Sequence, residues 1–323
     1  MNLARLSVLS ASVLIAACGS GGDQFSGAQP STTTFAITSA NAATVASISW
    51  QAVVASGNFG DLGGSLGLSA ATPDGFAKAT QAPRAAGYLV NVMQKVPFGP
   101  DVYPCLFDGI VTISGDIEDP LTLTVGDTFR AVYQLCDEGE GEVVDGTIDF
   151  TVGEFTGDIL TSLYMVSMDA TVTNLQAITG TDTITNNGDA TLMLDTMLAP
   201  YIEAGVSGTS MTVDSNASSE TLSSYSSGQT VDGNLQELPF TLSASGTLDT
   251  TQLSGIVQYS TPVTFAGEGL DYPNSGELLV EGVDSSARLI AVDNVNVTIE
   301  VDSNGDGVID DTINSTWANL TSS

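Results

Sequence analysis

The chain has 323 residues, of which 38 are Asp or Glu against 6 Lys or Arg and no His, for a formal net charge of -32. Nucleic-acid affinity rests mainly on Lys and Arg neutralising phosphates, so this balance excludes DNA and RNA as partners. With 14% charged and 42% hydrophobic residues the chain is too apolar for a disordered acidic tail and rich enough to bury a core. The missing histidine also removes the commonest general base and metal ligand.

Residues 1–17 carry one basic residue, Arg5, then an apolar run from Leu6 to Ala17 that ends in small side chains before Cys18. That pattern predicts a secretory signal peptide, too short for a permanent membrane span. The tetrapeptide Ile15-Ala16-Ala17-Cys18 resembles the lipobox of bacterial lipoproteins. The resemblance implies cleavage before Cys18, acyl chains on that cysteine, and attachment to a membrane of the cell envelope; Gly19 after it implies the outer membrane. The plainer alternative is a free cysteine in an ordinary signal peptide. Residues 18–34, rich in Gly, Ser and Thr, read as a flexible tether. Only Lys78, Arg84, Lys95, Arg130 and Arg288 remain beyond it, so an anionic surface repels this body and attachment falls to the lipid. Outside the cytoplasm, the even pair Cys105 and Cys136 is expected to form a disulfide.

Residues 35–100 read as helical. After Thr38-Ser39, a helix-capping pair, Ala42, Val45, Ile48, Ala52 and Ala55 fall on one stripe and Gly57 stops the run, which predicts one amphipathic helix. A second is expected after Pro83, where Ala86, Leu89, Val90 and Met93 repeat at helical spacing before Pro97. From residue 101 to 323 the period becomes two. Ile148, Phe150 and Val152 alternate with polar residues, as do Tyr164 to Val172, Phe240 to Ala244, and Val295, Val297, Ile299 and Val301. Asp108-Gly109, Asp145-Gly146, Asn187-Gly188, Asp232-Gly233 and Asn304-Gly305 read as turns between them. The fold class expected is mainly β, a large antiparallel meander of about a dozen strands that curls into a barrel, a half-barrel or a sandwich, with a pair of N-terminal helices on it. In element order alone this layout is similar to the lipoprotein-carrier half-barrels, which would imply a hollow for acyl chains.

Chemistry-bearing motifs are few. Asp302-Ser303-Asn304-Gly305-Asp306-Gly307-Val308-Ile309-Asp310 matches the first part of a calcium loop: oxygen donors at Asp302, Asn304 and Asp306, a glycine for the sharp turn, the Val308 carbonyl and the Asp310 carboxylate. Ile313 stands where an EF-hand needs its bidentate Glu, so the motif reads as a calcium-binding hairpin loop or as a bare turn with solvated acids. Asp137, Glu138, Glu140, Glu142 and Asp145 form a second acidic run, which reads as a solvated loop. No nucleophile elbow, phosphate loop or histidine-based zinc site is present in the sequence. Trp50, in the first helix, and Trp317, in the last strand, read as core residues, with a sugar-stacking platform as the alternative. The function expected is therefore non-enzymatic: a lipid-anchored envelope module that binds a partner protein or polysaccharide by its surface, or alternatively a carrier of a hydrophobic ligand in a cavity lined by residues such as Val166, Met168, Phe240 and Leu242.

Overall fold

The structure, a computed structural model, describes residues 33–58, 98–118, 123–137, 143–158, 163–216, 218–232, 239–268 and 272–321. The expected signal peptide, the lipobox-like tetrapeptide and the second expected helix lie outside them. Fourteen strands follow one another: β1 (Phe98–Pro104), β2 (Asp108–Asp116), β3 (Thr128–Asp137), β4 (Val143–Asp158), β5 (Leu163–Thr179), β6 (Asp182–Asp195), β7 (Tyr201–Ser215), β8 (Ser219–Asp232), β9 (Pro239–Thr250), β10 (Gly255–Glu268), β11 (Ser275–Gly282), β12 (Ser285–Ala291), β13 (Asn296–Asp302) and β14 (Asp311–Thr316). Each pairs antiparallel with its sequence neighbours, giving one curved, unclosed sheet whose free edges are β1 and β14. Of the three closures the sequence allowed, the meander takes the open one. Along β5 the alternation is literal: Tyr164, Val166, Met168, Ala170 and Val172 are buried, and Asp169, Thr171 and Thr173 face solvent.

A line of β-bulges crossing adjacent strands accompanies the curl. Opposite the single Asp145 of β4, β3 carries two residues, Gln134 and Leu135. The same two-against-one arrangement recurs between β5 and β4 at Asn174, between β5 and β6 at Asn187, and between β8 and β9 at Ser224. Leu135, Asn174 and Ser224 have left-handed backbones, with φ of 48°, 46° and 47°. Such bulges bend strands and increase their twist. The amides they free are captured locally. Leu135 N–H donates to Asp145 Oδ2 at 3.1 Å and Asn174 N–H to Asn187 Oδ1 at 2.7 Å. Across the next pair, Thr209 N–H and Ser210 N–H both donate to the Asp189 carboxylate, at 2.8 and 3.1 Å. Asp145-Gly146 and Asn187-Gly188 are therefore not turns, as the dipeptides suggested; they lie inside β4 and β6. Their glycines supply the positive φ, 130° and 148°, that a bulge needs as much as a hairpin does.

The first helix, α1 (Ala42–Asn58), starts as the sequence indicated. The Thr38 carbonyl accepts from Asn41 and Ala42 N–H, while Asn41 Oδ1 reaches back to Thr38 N–H at 2.8 Å, so the two residues cap one another. The helix is not amphipathic in its setting, however. Every residue from Val45 to Trp50 is buried, and it touches β7, β8 and β9 on one side of β10 and β11, β12 and β13 on the other, so the sheet curves around it. Serines make this possible, because Ser47 Oγ donates to the Leu320 carbonyl and Ser56 Oγ to Val53 O, which hides their hydroxyls. At the C-terminus the last strand ends at Thr316, and Trp317 opens a five-residue helix, α2 (Trp317–Thr321), rather than lying in a strand. Val295, expected in a strand, is 55% exposed in the turn before β13.

Candidate functional site

Three places carry the residues that the sequence singled out. The first is the hollow of the sheet. Val166, Met168, Phe240 and Leu242, expected to line a cavity, do point inward and are buried, each 5% exposed or less. In the same core sits an aromatic cluster on α1, β10 and α2. Trp50 meets Trp317 at 4.6 Å between ring centroids and Phe265 at 4.9 Å, and Tyr272 stacks on Trp317 at 5.6 Å. The Trp317 indole N–H donates to the carbonyls of Pro273 and Asp293, at 3.1 and 3.2 Å. Both tryptophans are fully enclosed, at 1% and 0% exposure, which removes the sugar-platform reading. Tyr225 and Tyr259, on the inner wall of β8 and β10, are buried, and desolvation pushes both phenols far above their ordinary range, so they stay neutral. Their ring positions are set by missing side chains opposite: a Cβ on Gly246 would lie 2.8 Å from the Tyr259 hydroxyl.

The second is the loop between β13 and β14. Asp302 Oδ1 accepts from Gly305 N–H at 2.8 Å and Asp302 Oδ2 from Gly307 N–H at 2.8 Å. Side-chain oxygens at alternate positions bond the amide two residues on: Asp302 to Asn304, Asn304 to Asp306, and Asp306 to Val308. Asp310 closes the loop by accepting from Ser303 N–H and Oγ, at 2.9 and 2.5 Å. Burial under the loop would raise the Asp302 carboxyl, but the amides of Gly307, Asn304 and Gly305 outweigh it and hold the group below the usual carboxylate range. Among the described residues no three carboxylate or cysteine side chains gather as a cation-holding group.

The third is the corner at edge strand β1. Cys105 and Cys136 form a disulfide, with Cα atoms 5.5 Å apart, that ties the β1–β2 turn to the end of β3. Phe107 N–H donates to the Asp137 carbonyl at 2.9 Å beside it. Of the neighbouring acidic run, residues 138–142 lie outside the described residues, and Asp145 serves the bulge rather than a site. Sequence reasoning missed a different carboxylate, Asp127. It is 3% exposed and accepts from Glu118 N–H, Thr124 N–H and Thr124 Oγ1 at 2.8 to 2.9 Å, which folds the loop before β3; its role is structural.

Electrostatically the described body has two cations, Arg130 and Arg288. Each faces a carboxylate: Arg130 to Asp149 at 3.5 Å, Arg288 to Glu277 at 3.9 Å. Among the described residues no helix is long and apolar enough to cross a membrane. Comparison with protein-family models, with curated proteins and with solved structures finds no match, so the functional reading rests on the chemistry of this chain alone.

Proposed function

We propose that this chain is a lipid-anchored cell-envelope protein, held at the outer membrane through acyl chains on Cys18, which works without chemistry of its own by presenting the outward face of its sheet to an envelope protein or polysaccharide. The observation that carries the surface reading over the carrier reading is the filled hollow. The position a cargo would need, against the inward faces of β7 to β13, is occupied by α1, with Trp50 wedged between Phe265 and Trp317. A packed interior is also what protein domains normally have. The lipobox supports the anchor. Membrane fractionation of the wild type against Cys18→Ser tests it, with the variant expected in the soluble periplasmic fraction; retention of Cys18→Ser in the membrane refutes the anchor. Native mass spectrometry of the released Cys18→Ser protein tests the rest: a bare mass supports the surface module, and a bound lipid mass establishes the carrier.

We extend the proposal to calcium at the β13–β14 loop, supported by the row of oxygens at Asp302, Asn304 and Asp306, each already turned by its bond to the amide two residues on. Binding would redirect these oxygens and Asp310 from amides to the cation, add the Val308 carbonyl, and stiffen the β13–β14 hairpin. One calcium mass, removed by a chelator and lost in Asp306→Ala, is expected; its absence assigns the loop as a bare turn.

A further inference from the structure

Of the two edge strands of the sheet, β1 is guarded and β14 is not. β1 carries Pro100 and Pro104 and a register shift between Phe98 and Asp101, and its Asp101, Tyr103 and Pro104 are each engaged in a further interaction. Prolines and breaks in register of this kind keep a strand edge from pairing with another chain. β14 has neither. Its six residues run Asp-Thr-Ile-Asn-Ser-Thr and pair with β13 without a shift, and among the described residues no strand lies on its other side. The register decides which backbone groups are left over. Trp317 N–H donates to the Val295 carbonyl, and these two positions continue the pairing of Asn296 with Thr316 and Val297 with Ser315. Backbone bonds alternate along an antiparallel pair, so the odd residues Asp311, Ile313 and Ser315 spend theirs on β13 and the even ones turn theirs to the open side. Thr312 N–H is held by Asp311 Oδ1 at 2.8 Å, which leaves the Thr312 carbonyl and both groups of Asn314 for another chain. Ile313 stands opposite the buried Ile299 and packs on the core, yet is only partly buried at this edge.

We propose that β14 is a strand-addition site, at which an extended segment of a partner protein pairs with Thr312 and Asn314 and lays an apolar side chain on Ile313. In such pairing main-chain bonds give affinity and alternate side chains give specificity. The partner's chemistry follows from the charges. Asp310 and Asp311 stand at one end of β14, and the Asp293 carboxylate, bonded to the amides of Val295 and Asn296, stands at the other. A segment with Lys or Arg on either side of a β-branched residue meets these acids, since opposite charges across strands are favourable and like charges are not. A second copy of this chain would bring the same acids and its own net charge of -32 to the edge, which opposes self-pairing. The edge is separate from the outward face of the sheet, and the inference depends on neither that face nor the lipid anchor.

The test uses the full-length protein and the peptide acetyl-Thr-Lys-Thr-Val-Thr-Lys-Thr-amide, read by amide hydrogen exchange at Asn314. With free peptide at about ten times its dissociation constant, exchange there should slow about tenfold. The same peptide N-methylated on the two Thr residues that flank Val keeps its charge and loses the pairing donors, and should give no protection. Asn314→Pro removes the protein's own donor at a point where the N–H faces the open edge, a place where strands accept proline. It should abolish binding, and circular dichroism checks its fold; if it does not fold, the N-methylated peptide still decides. No protection by the parent peptide overturns the inference, and so does equal protection by the N-methylated one, which would reduce the effect to charge attraction. Equal binding by a peptide with Ser in place of Lys overturns the basic partner. A dimer of the protein alone, with Asn314 protected in it, assigns the edge to a second copy and overturns the inference as well.

Discussion

Trp50→Ala is the substitution that most directly separates a filled hollow from a cargo cavity. Trp50 is 1% exposed and packed between Trp317 and Phe265 at 4.6 and 4.9 Å. An aromatic side chain of this kind buries roughly 150–250 Å², which at about 25 cal/mol per Å² is worth about 4–6 kcal/mol as an upper estimate. Two ring contacts add about 1 kcal/mol more in all, while partial collapse of the cavity returns some of the loss. The expected destabilisation is about 4 kcal/mol, in line with large-to-small aromatic substitutions in cores. Urea unfolding followed by far-ultraviolet circular dichroism measures it. The cavity left should stay dry and admit indole, so indole at ten times its dissociation constant restores about 1.4 kcal/mol to the variant and nothing to the wild type. A loss below about 1 kcal/mol, or wild-type stabilisation by indole, would show that the interior already has room and that the packing argument for a surface module is wrong.

Gly188→Ala should cost about 2 kcal/mol or more, because its φ is 148° and a Cβ there meets the backbone of Ser210 and Met211; an unchanged urea midpoint would discount the bulge line as a source of constraint. Asp127→Ala leaves two backbone amides of one loop without their acceptor and should cost about 3 kcal/mol, with faster hydrogen exchange at Glu118 and Thr124 as the local readout. The double variant Cys105→Ser with Cys136→Ser reopens a loop of 31 residues, worth about 3.5 kcal/mol in chain entropy; a loss confined to the β1 edge, seen as exchange in β1 and β2 alone, would mean that this edge unfolds independently. For pH, the hydrogen-bonded carboxyls of Asp189 and Asp302 lie below their ordinary value of 3.8. The unfolded chain takes up protons first, so their contribution is complete above that value and is lost as pH falls through the lower folded one. Glu220, raised by burial, has the opposite sign: its penalty disappears as pH falls through its raised value. With relief of repulsion among the 38 acids, the thermal midpoint should rise from about pH 7 towards about pH 5 and fall below about pH 4; a steady decline from neutrality would refute this sign analysis.

The strands were legible because their inward and outward residues obey a period of two, as in Ile148, Phe150 and Val152 or Val297, Ile299 and Val301, all buried. The bulges were not, because Asp-Gly and Asn-Gly offer the same positive φ to a turn and to a bulge. One hint does exist: a turn at Asp145-Gly146 would leave only Val143 and Val144 as a strand after the acidic run, too short to pair. A second is the slip in β5 from Val172 to Leu175, both buried three apart, where strict alternation fails. The burial of α1 from Val45 to Trp50 was hidden by its serines, which read as a polar face until Ser47 is seen to donate to the Leu320 carbonyl. The terminal helix had a signal that went unused, Thr316, whose hydroxyl caps Asn319 N–H at 3.3 Å. Of the candidate sites, the cysteine pairing followed from number and the expected compartment, whereas the roles of Asp127 and Asp189 depend on loop and bulge amides that only the folded chain brings to them.

The outward face shows how strands rich in acids keep neighbouring carboxylates out of direct opposition. Across β4, β5 and β6 the register sets Asp149 opposite Thr171 and Thr171 opposite Asp189, and in the adjacent row Thr151 opposite Asp169 and Asp169 opposite Thr191. The result is a checkerboard in which no two of these carboxylates face each other directly, and like charges in direct opposition are what destabilise a sheet. Thr191 Oγ1 donates to Asp169 Oδ1 at 2.7 Å, so the hydroxyls also hold the acids in place. The pattern spaces these three acids across the curved outward face of β4, β5 and β6. Under the proposed function such a surface would make broad contact with a cationic or hydroxyl-rich partner, strengthened by many weak interactions and weakened by salt. The two faces of the sheet thus differ in kind: α1 packs against the inward side of β7 to β13, and the outward side of β4 to β6 carries acids alternating with threonines.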